Sequence, residues 1–279
     1  MKRTISIILA IVVALGALVA FSACSGNTGD DNNADVLRVG LECAYAPFNW
    51  TQLDDSNDAV AIEGTNQFAN GYDVQIARRI AEGLGKELVV VKLDWDGLIP
   101  AVQSGAIDMI IAGMSPTAER RESIDFSDAY YTSNLVIVVR EDGDFADAAS
   151  LADFEGAKIV GQQGTFHADA VKQIPGVDEQ TPMADFATMI VALNAGSIDG
   201  YVAEKPGAIA NVGANDAFTF ADLENNDTGF TVNDEDVQIA VGLKKGSALT
   251  AEINTILEGI SQEDRDTLME NAIAQQPTE

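Results

Sequence analysis

Apolar and polar positions change their spacing several times along the chain, and each change marks an element. Ile5–Phe21 is apolar without a charge and follows Lys2 and Arg3, a basic start before an apolar stretch, as in a secretory signal peptide. Residues 25–35 then hold almost nothing but Ser, Gly, Asn, Thr and Asp, a composition that cannot bury a core and predicts a tether. From there the pattern predicts a strand over Val36–Glu42, an amphipathic helix over Tyr72–Leu84, a strand over Glu87–Leu93 and a helix over Asp96–Gln103. A second set follows: strands at Leu135–Val139 and Lys158–Gly161, a helix over 184–194 and a strand over 199–203. Val237–Leu243 predicts one more strand, and helices near 247–260 and 262–274 follow with no strand of their own. Strands alternating with helices specify an α/β chain with largely parallel sheets.

Two of these stretches are copies of one unit. Leu98-Ile-Pro-Ala-Val-Gln-Ser-Gly105-Ala-Ile107-Asp108 aligns without a gap on Met189-Ile-Val-Ala-Leu-Asn-Ala-Gly196-Ser-Ile198-Asp199. In each, helical spacing stops at a glycine suited to a left-handed helix end, and a short apolar strand follows at once. The separation of the copies is that of a small α/β domain, so the expected architecture is two lobes. A chain that leaves the first lobe near residue 132 and returns near 237 crosses between lobes twice, which makes a hinge. Lobe one is then 36–131 plus 237–279, and lobe two 135–232. In sheets of this kind a ligand sits beyond the C-terminal strand ends, and both copies point there: Gly113-Met114-Ser115 after the first, Glu204 after the second.

Charge narrows the function. Forty-four acidic against 16 basic side chains give a net charge of −28, which repels nucleic acid and anionic surfaces. One histidine, His167, and two cysteines leave little material for a histidine-rich metal site or a Ser-His-Asp triad. Cys43 is expected as a small buried hydrophobe without a disulfide partner, and Phe48 and Trp50 as core. Ser22-Ala23-Cys24 resembles a lipobox, with Phe21 in place of the usual leucine; residues 1–23 would be removed and 24–35 would form a lipid-anchored tether on Cys24.

The chain after the tether resembles the family 3 extracellular solute-binding proteins, the polar amino-acid receptors of ABC importers. Carrying the resemblance are Gly40-Leu-Glu-Cys-Ala-Tyr45-Ala-Pro47-Phe48, Gly71-Tyr72-Asp73-Val74, Ile111-Ala-Gly-Met-Ser115-Pro-Thr117-Ala-Glu119-Arg120, Ile124-Asp125-Phe126-Ser127, Tyr130-Tyr131 and Gln163-Gly164-Thr165. It implies a two-lobed periplasmic-binding-protein type II fold and an extracytoplasmic, monomeric receptor. Such a receptor hands a free amino acid to importer membrane subunits, with no cofactor, metal or catalysis. Arg120, helped by Ser115 and the backbone at Gly113, would clamp the ligand carboxylate. Thr165 would approach it from lobe two, or serve only as a helix cap. Glu204, in place of the family's usual aspartate, would meet the ammonium. Glu42, Tyr45 and Trp95 would line the side-chain pocket, and an acid with aromatic faces suits a cationic side chain ahead of glutamine or other polar ones. The alternative is a secreted enzyme on the same fold, such as a dehydratase of cyclic amino-acid precursors, against which stands the lack of an evident acid–base constellation.

Overall fold

The structure, a computed structural model, describes residues 36–223 and 228–277. The expected signal peptide, Cys24 and the tether lie outside the described residues. Two five-stranded sheets organise the rest. In the first, the order is Glu87–Lys92, Val36–Leu41, Met109–Ile110, Gln238–Leu243, Asp125–Thr132. The first three strands are parallel and the last two antiparallel to their neighbours. The second sheet repeats this plan with Asp178–Glu179, Lys158–Val160, Gly200–Glu204, Leu135–Arg140 and Phe218–Ala221.

The fourth strand of each sheet enters directly after the chain has crossed from the other one. The two crossings are bonded to each other: Ser133 N–H donates to the Val237 carbonyl at 2.9 Å, and Gln238 pairs with Thr132. This is the physical form of the expected hinge.

The sequence repeat has matching hydrogen bonds in its two copies. Helices Trp95–Ser104 and Phe186–Asn194 end at Gly105 and Gly196, whose φ of 80° and 69° are left-handed. In each copy the isoleucine two residues on is buried. The following aspartate ties the unit to the neighbouring strand: Asp108 exchanges two bonds with the Arg38 backbone, and Asp199 exchanges two with the Lys158 backbone, all at 2.8–2.9 Å. A carboxylate accepting a backbone N–H at a strand start satisfies a donor that the sheet leaves unpaired.

Helix Tyr72–Gly83 buries Val74, Ile76, Ala77 and Ile80 against the first sheet. The terminal helices, Thr250–Glu258 and Gln262–Gln275, pack on the same side. Asn254 accepts from the Asp128 N–H and Arg265 donates to the Ala129 carbonyl. At its far end the last helix reaches the other lobe, where the Gln276 amide donates to the Ala210 carbonyl at 2.6 Å.

Several elements depart from the sequence pattern. The strand expected to reach Glu42 ends at Leu41, and the helix expected from Asp96 begins at Trp95. A four-stranded antiparallel sheet of two- to four-residue strands within 44–70 was not predicted. Strands this short offer too few alternating positions to show a period.

Candidate functional site

Helix Trp95–Ser104 and the loop Gly113–Thr117 come from the first lobe, and the loop Gln162–Thr165 with the end of strand Gly200–Glu204 from the second. Their side chains meet. Arg120 sits in the short helix Ala118–Ser123, whose first turn is capped by the Thr117 hydroxyl. Its guanidinium donates to the Ser115 carbonyl at 2.9 Å and across the gap to the Gly164 carbonyl at 3.2 Å. It also stacks 5.0 Å over the Trp95 ring. Burial lowers its pKa to about 10, which leaves it charged at neutral pH. Among the described residues no carboxylate pairs with it. A buried cation facing only carbonyl oxygens retains capacity for an anion.

The first-lobe loop is held from below. Asp73, fully buried, accepts from Asn49 at 2.8 Å, from the Tyr130 hydroxyl at 2.7 Å and from the Gly113 N–H. Burial pushes its pKa up to about 7, against the pull of those three donors.

Glu204 ends its strand 2% exposed, and burial raises its carboxyl to about 8. The Tyr45 hydroxyl bonds to it from the first lobe. The Tyr45 ring stacks on Phe186 at 4.1 Å and on Phe48 at 5.1 Å. Such a ring pair contributes about 0.5–1.5 kcal/mol beyond area burial, here between lobes. Glu42 accepts from the Gln162 amide at 3.1 Å, another contact across the gap. Burial lifts its pKa to about 7, assisted by Asp185, Asp94 and Asp96 nearby. Trp95 is half-buried and its ring N–H reaches the Gly164 carbonyl at 3.4 Å.

All eight residues singled out in the sequence line or adjoin this gap: Glu42, Tyr45, Trp95, Gly113, Ser115, Arg120, Thr165 and Glu204. Thr165 has a different task from simple capping. It stands at the N-cap of helix Phe166–Val171 without a side-chain cap bond, and its hydroxyl donates to the Gln162 carbonyl at 2.8 Å. The cleft is closed, and the space left among Tyr45, Trp95, Ser115, Arg120, Gln162 and His167 is about 10 Å³, scarcely room for one water. A larger cavity of about 570 Å³ lies beyond Phe186, between Trp50 and Phe218. It touches none of the charged groups, so the chemistry belongs to the smaller space. Trp50 and Cys43 are buried, as expected.

Four contributors were missed from the sequence: Asp73, Gln162, His167 and Phe186. Phe186 had a signal. The repeat extends upstream, pairing Asp94-Trp95 with Asp185-Phe186; both aspartates are N-caps, and both rings open a helix at the cleft. His167 had none, since a lone histidine carries no spacing to read.

Residues 37–271 match the bacterial extracellular solute-binding proteins, family 3. The chain belongs to this family. It is 29% identical to the arginine-binding extracellular protein ArtP of Bacillus subtilis over 90% of this chain and 91% of that protein. With a probable histidine-binding protein of Campylobacter jejuni it shares 36% identity over 67% of this chain and 72% of the other. An amino-acid ABC transporter substrate-binding protein of Streptococcus pneumoniae, solved bound to L-arginine, superposes with a TM-score of 0.76 at 26% identity. That match covers 87% of this chain and 95% of the other. The two-lobed fold of the family is the fold described above.

Proposed function

We propose that this protein is the extracytoplasmic receptor of an ABC importer and that its ligand is a free amino acid. The observation that carries the reading is Arg120: buried, charged, paired only with carbonyls, and across the cleft from the buried acid Glu204. A zwitterion losing its water between two lobes needs one fixed charge of each sign. In this reading Arg120, Ser115, the Gly113 backbone and Thr165 hold the carboxylate, and Glu204 the ammonium. Glu42, Tyr45 and Trp95 surround the side chain.

A cationic side chain is favoured within that class. Glu42 lies among Asp94, Asp96 and Asp185, and a cation would relieve the mutual repulsion that helps to raise its pKa. Relatives named for arginine and histidine point the same way.

The lobes, 36–131 with 237–279 and 135–232, would open about the paired crossings, and ligand would favour closure through its contacts with both. Removal of 1–23 and lipidation of Cys24 would anchor the protein outside the membrane, in reach of the importer. The receptor acts as a monomer and performs no catalysis. Isothermal calorimetry with L-arginine, L-lysine, L-histidine and L-glutamine tests the proposal. Saturable binding that Arg120→Ala abolishes is the expected result; absence of heat with every common amino acid defeats it.

A further inference from the structure

His167, the single histidine of the chain, lies against Glu204, and counting its hydrogens gives it a role. The Thr165 hydroxyl has a single proton, and it is donated to the Gln162 carbonyl at 2.8 Å. Its contact with His167 Nδ1 at 3.1 Å therefore requires Nδ1 to carry hydrogen. In the neutral ring this leaves Nε2 bare. Nε2 is fully buried, has no hydrogen-bond partner when left bare, and lies 3.1 Å from Glu204 Oε1. A bare nitrogen facing a carboxylate in the interior sets two acceptors against each other; one proton between them removes the conflict.

We propose that His167 is a positioning residue of the ammonium site: it shares one proton with Glu204, and the ligand's ammonium displaces that proton. The proposal rests on the receptor reading. The exchange balances: the protonated Glu204–His167 pair and an ammonium-bearing ligand become a carboxylate–ammonium pair, a neutral imidazole and one proton given to solvent.

The surroundings fix where the proton resides. Burial, then the positive charge of Arg120, lower His167 to about 3, whereas burial raises Glu204 to about 8, so the carboxyl holds the proton and donates it to Nε2. Tyr45 is the other titratable group in contact with Glu204. Lys205, next in sequence, is turned to Asp222 at 2.5 Å, and Glu42 is engaged by Gln162. Gln162, Thr165, His167 and Glu204 all belong to the second lobe, so the His167–Glu204 contact is assembled within one lobe, and Arg120 and Tyr45 act on it from the other.

The proton makes affinity depend on pH. From about pH 5.5 to about 7.5, where neither L-arginine nor L-glutamine titrates, Kd should tighten by up to about tenfold per pH unit. Calorimetry of the mature chain with these two probes, in buffers of different ionisation enthalpy, should count about one proton released per ligand. In His167→Gln the amide can donate to the Glu204 carboxylate, so binding should persist while proton release falls below about half. Glu204→Gln should bind weakly, with no release. Enthalpy independent of buffer in the wild type, or full release retained in His167→Gln, overturns the proposal and leaves the receptor reading intact. If neither these probes nor any other common amino acid binds, both fall.

Discussion

Asp73 shows how a residue outside the cleft sets its geometry. Its two oxygens take Asn49, Tyr130 and the Gly113 N–H, and an asparagine there would aim an amide at one of these donors. Asp73→Asn should therefore cost about 1–3 kcal/mol in urea unfolding, the penalty for a buried unsatisfied donor, and weaken ligand binding through the Gly113 loop. A variant as stable as the parent would show that the carboxylate is not the support described. The buried acids also set a pH dependence. Glu204 rises from 4.5 to about 8 and Glu42 to about 7, so the folded chain keeps protons that the unfolded one releases. Stability should fall as pH rises through that window. His167 acts oppositely: lowered from 6.5 to about 3, it costs stability as pH falls below 6.5. Urea midpoints should thus decline between about pH 6.5 and 8, and Glu204→Gln should flatten that decline. An unchanged slope would remove Glu204 as its source.

At the scale of elements, the turn before helix Tyr72–Gly83 ties the family motifs together. The Tyr72 and Asp73 N–H groups donate to the Pro47 and Phe48 carbonyls at 3.0 and 2.8 Å, so the loop that presents Tyr45 also caps the helix that carries Asp73. Gly71 makes this approach possible: its φ is 125°, and a Cβ there would stand 2.4 Å from the Phe48 carbonyl oxygen. Gly71→Ala should destabilise the chain by more than about 2 kcal/mol, since strain and a backbone clash coincide. Chemical denaturation checks this, and a loss under about 0.5 kcal/mol would mean the loop moves freely. Five helices and the central strands were legible because their apolar spacing shows a period, whereas helix Lys205–Ala214 and the edge strands Asp125–Thr132 and Phe218–Ala221 were not predicted. The small antiparallel sheet of 44–70 was not, and Glu42 and Trp95 each fell one position outside or inside the element expected for them, because ends are set by tertiary hydrogen bonds.

For the whole molecule, closure is held by a few contacts between lobes: Tyr45 with Phe186 and Glu204, Trp95 and Arg120 with Gly164, Gln162 with Glu42, and Gln276 with Ala210. A ligand that adds contacts to both lobes raises stability by mass action, by about 2.7 kcal/mol at one hundred times its Kd. The melting temperature should climb steadily with ligand concentration in scanning calorimetry, and a flat response to a ligand that binds would place its site outside the cooperative fold. Gln276→Ala removes a latch far from the charged groups. It should loosen the closed form and raise Kd by a few-fold in calorimetry, and an unchanged Kd would show that this contact does not help to hold closure.

What the sequence determined by itself is the alternation of strand and helix, the duplicated unit and the residue types at the cleft, because periodicity, helix-ending glycines and motif order are local properties of the chain. Only the tertiary structure decided that Phe186 stacks on Tyr45, that Asp73 supports Gly113, and that His167 faces Glu204. Those contacts join residues far apart in sequence, and burial, which no single position encodes, sets both their protonation and their strength.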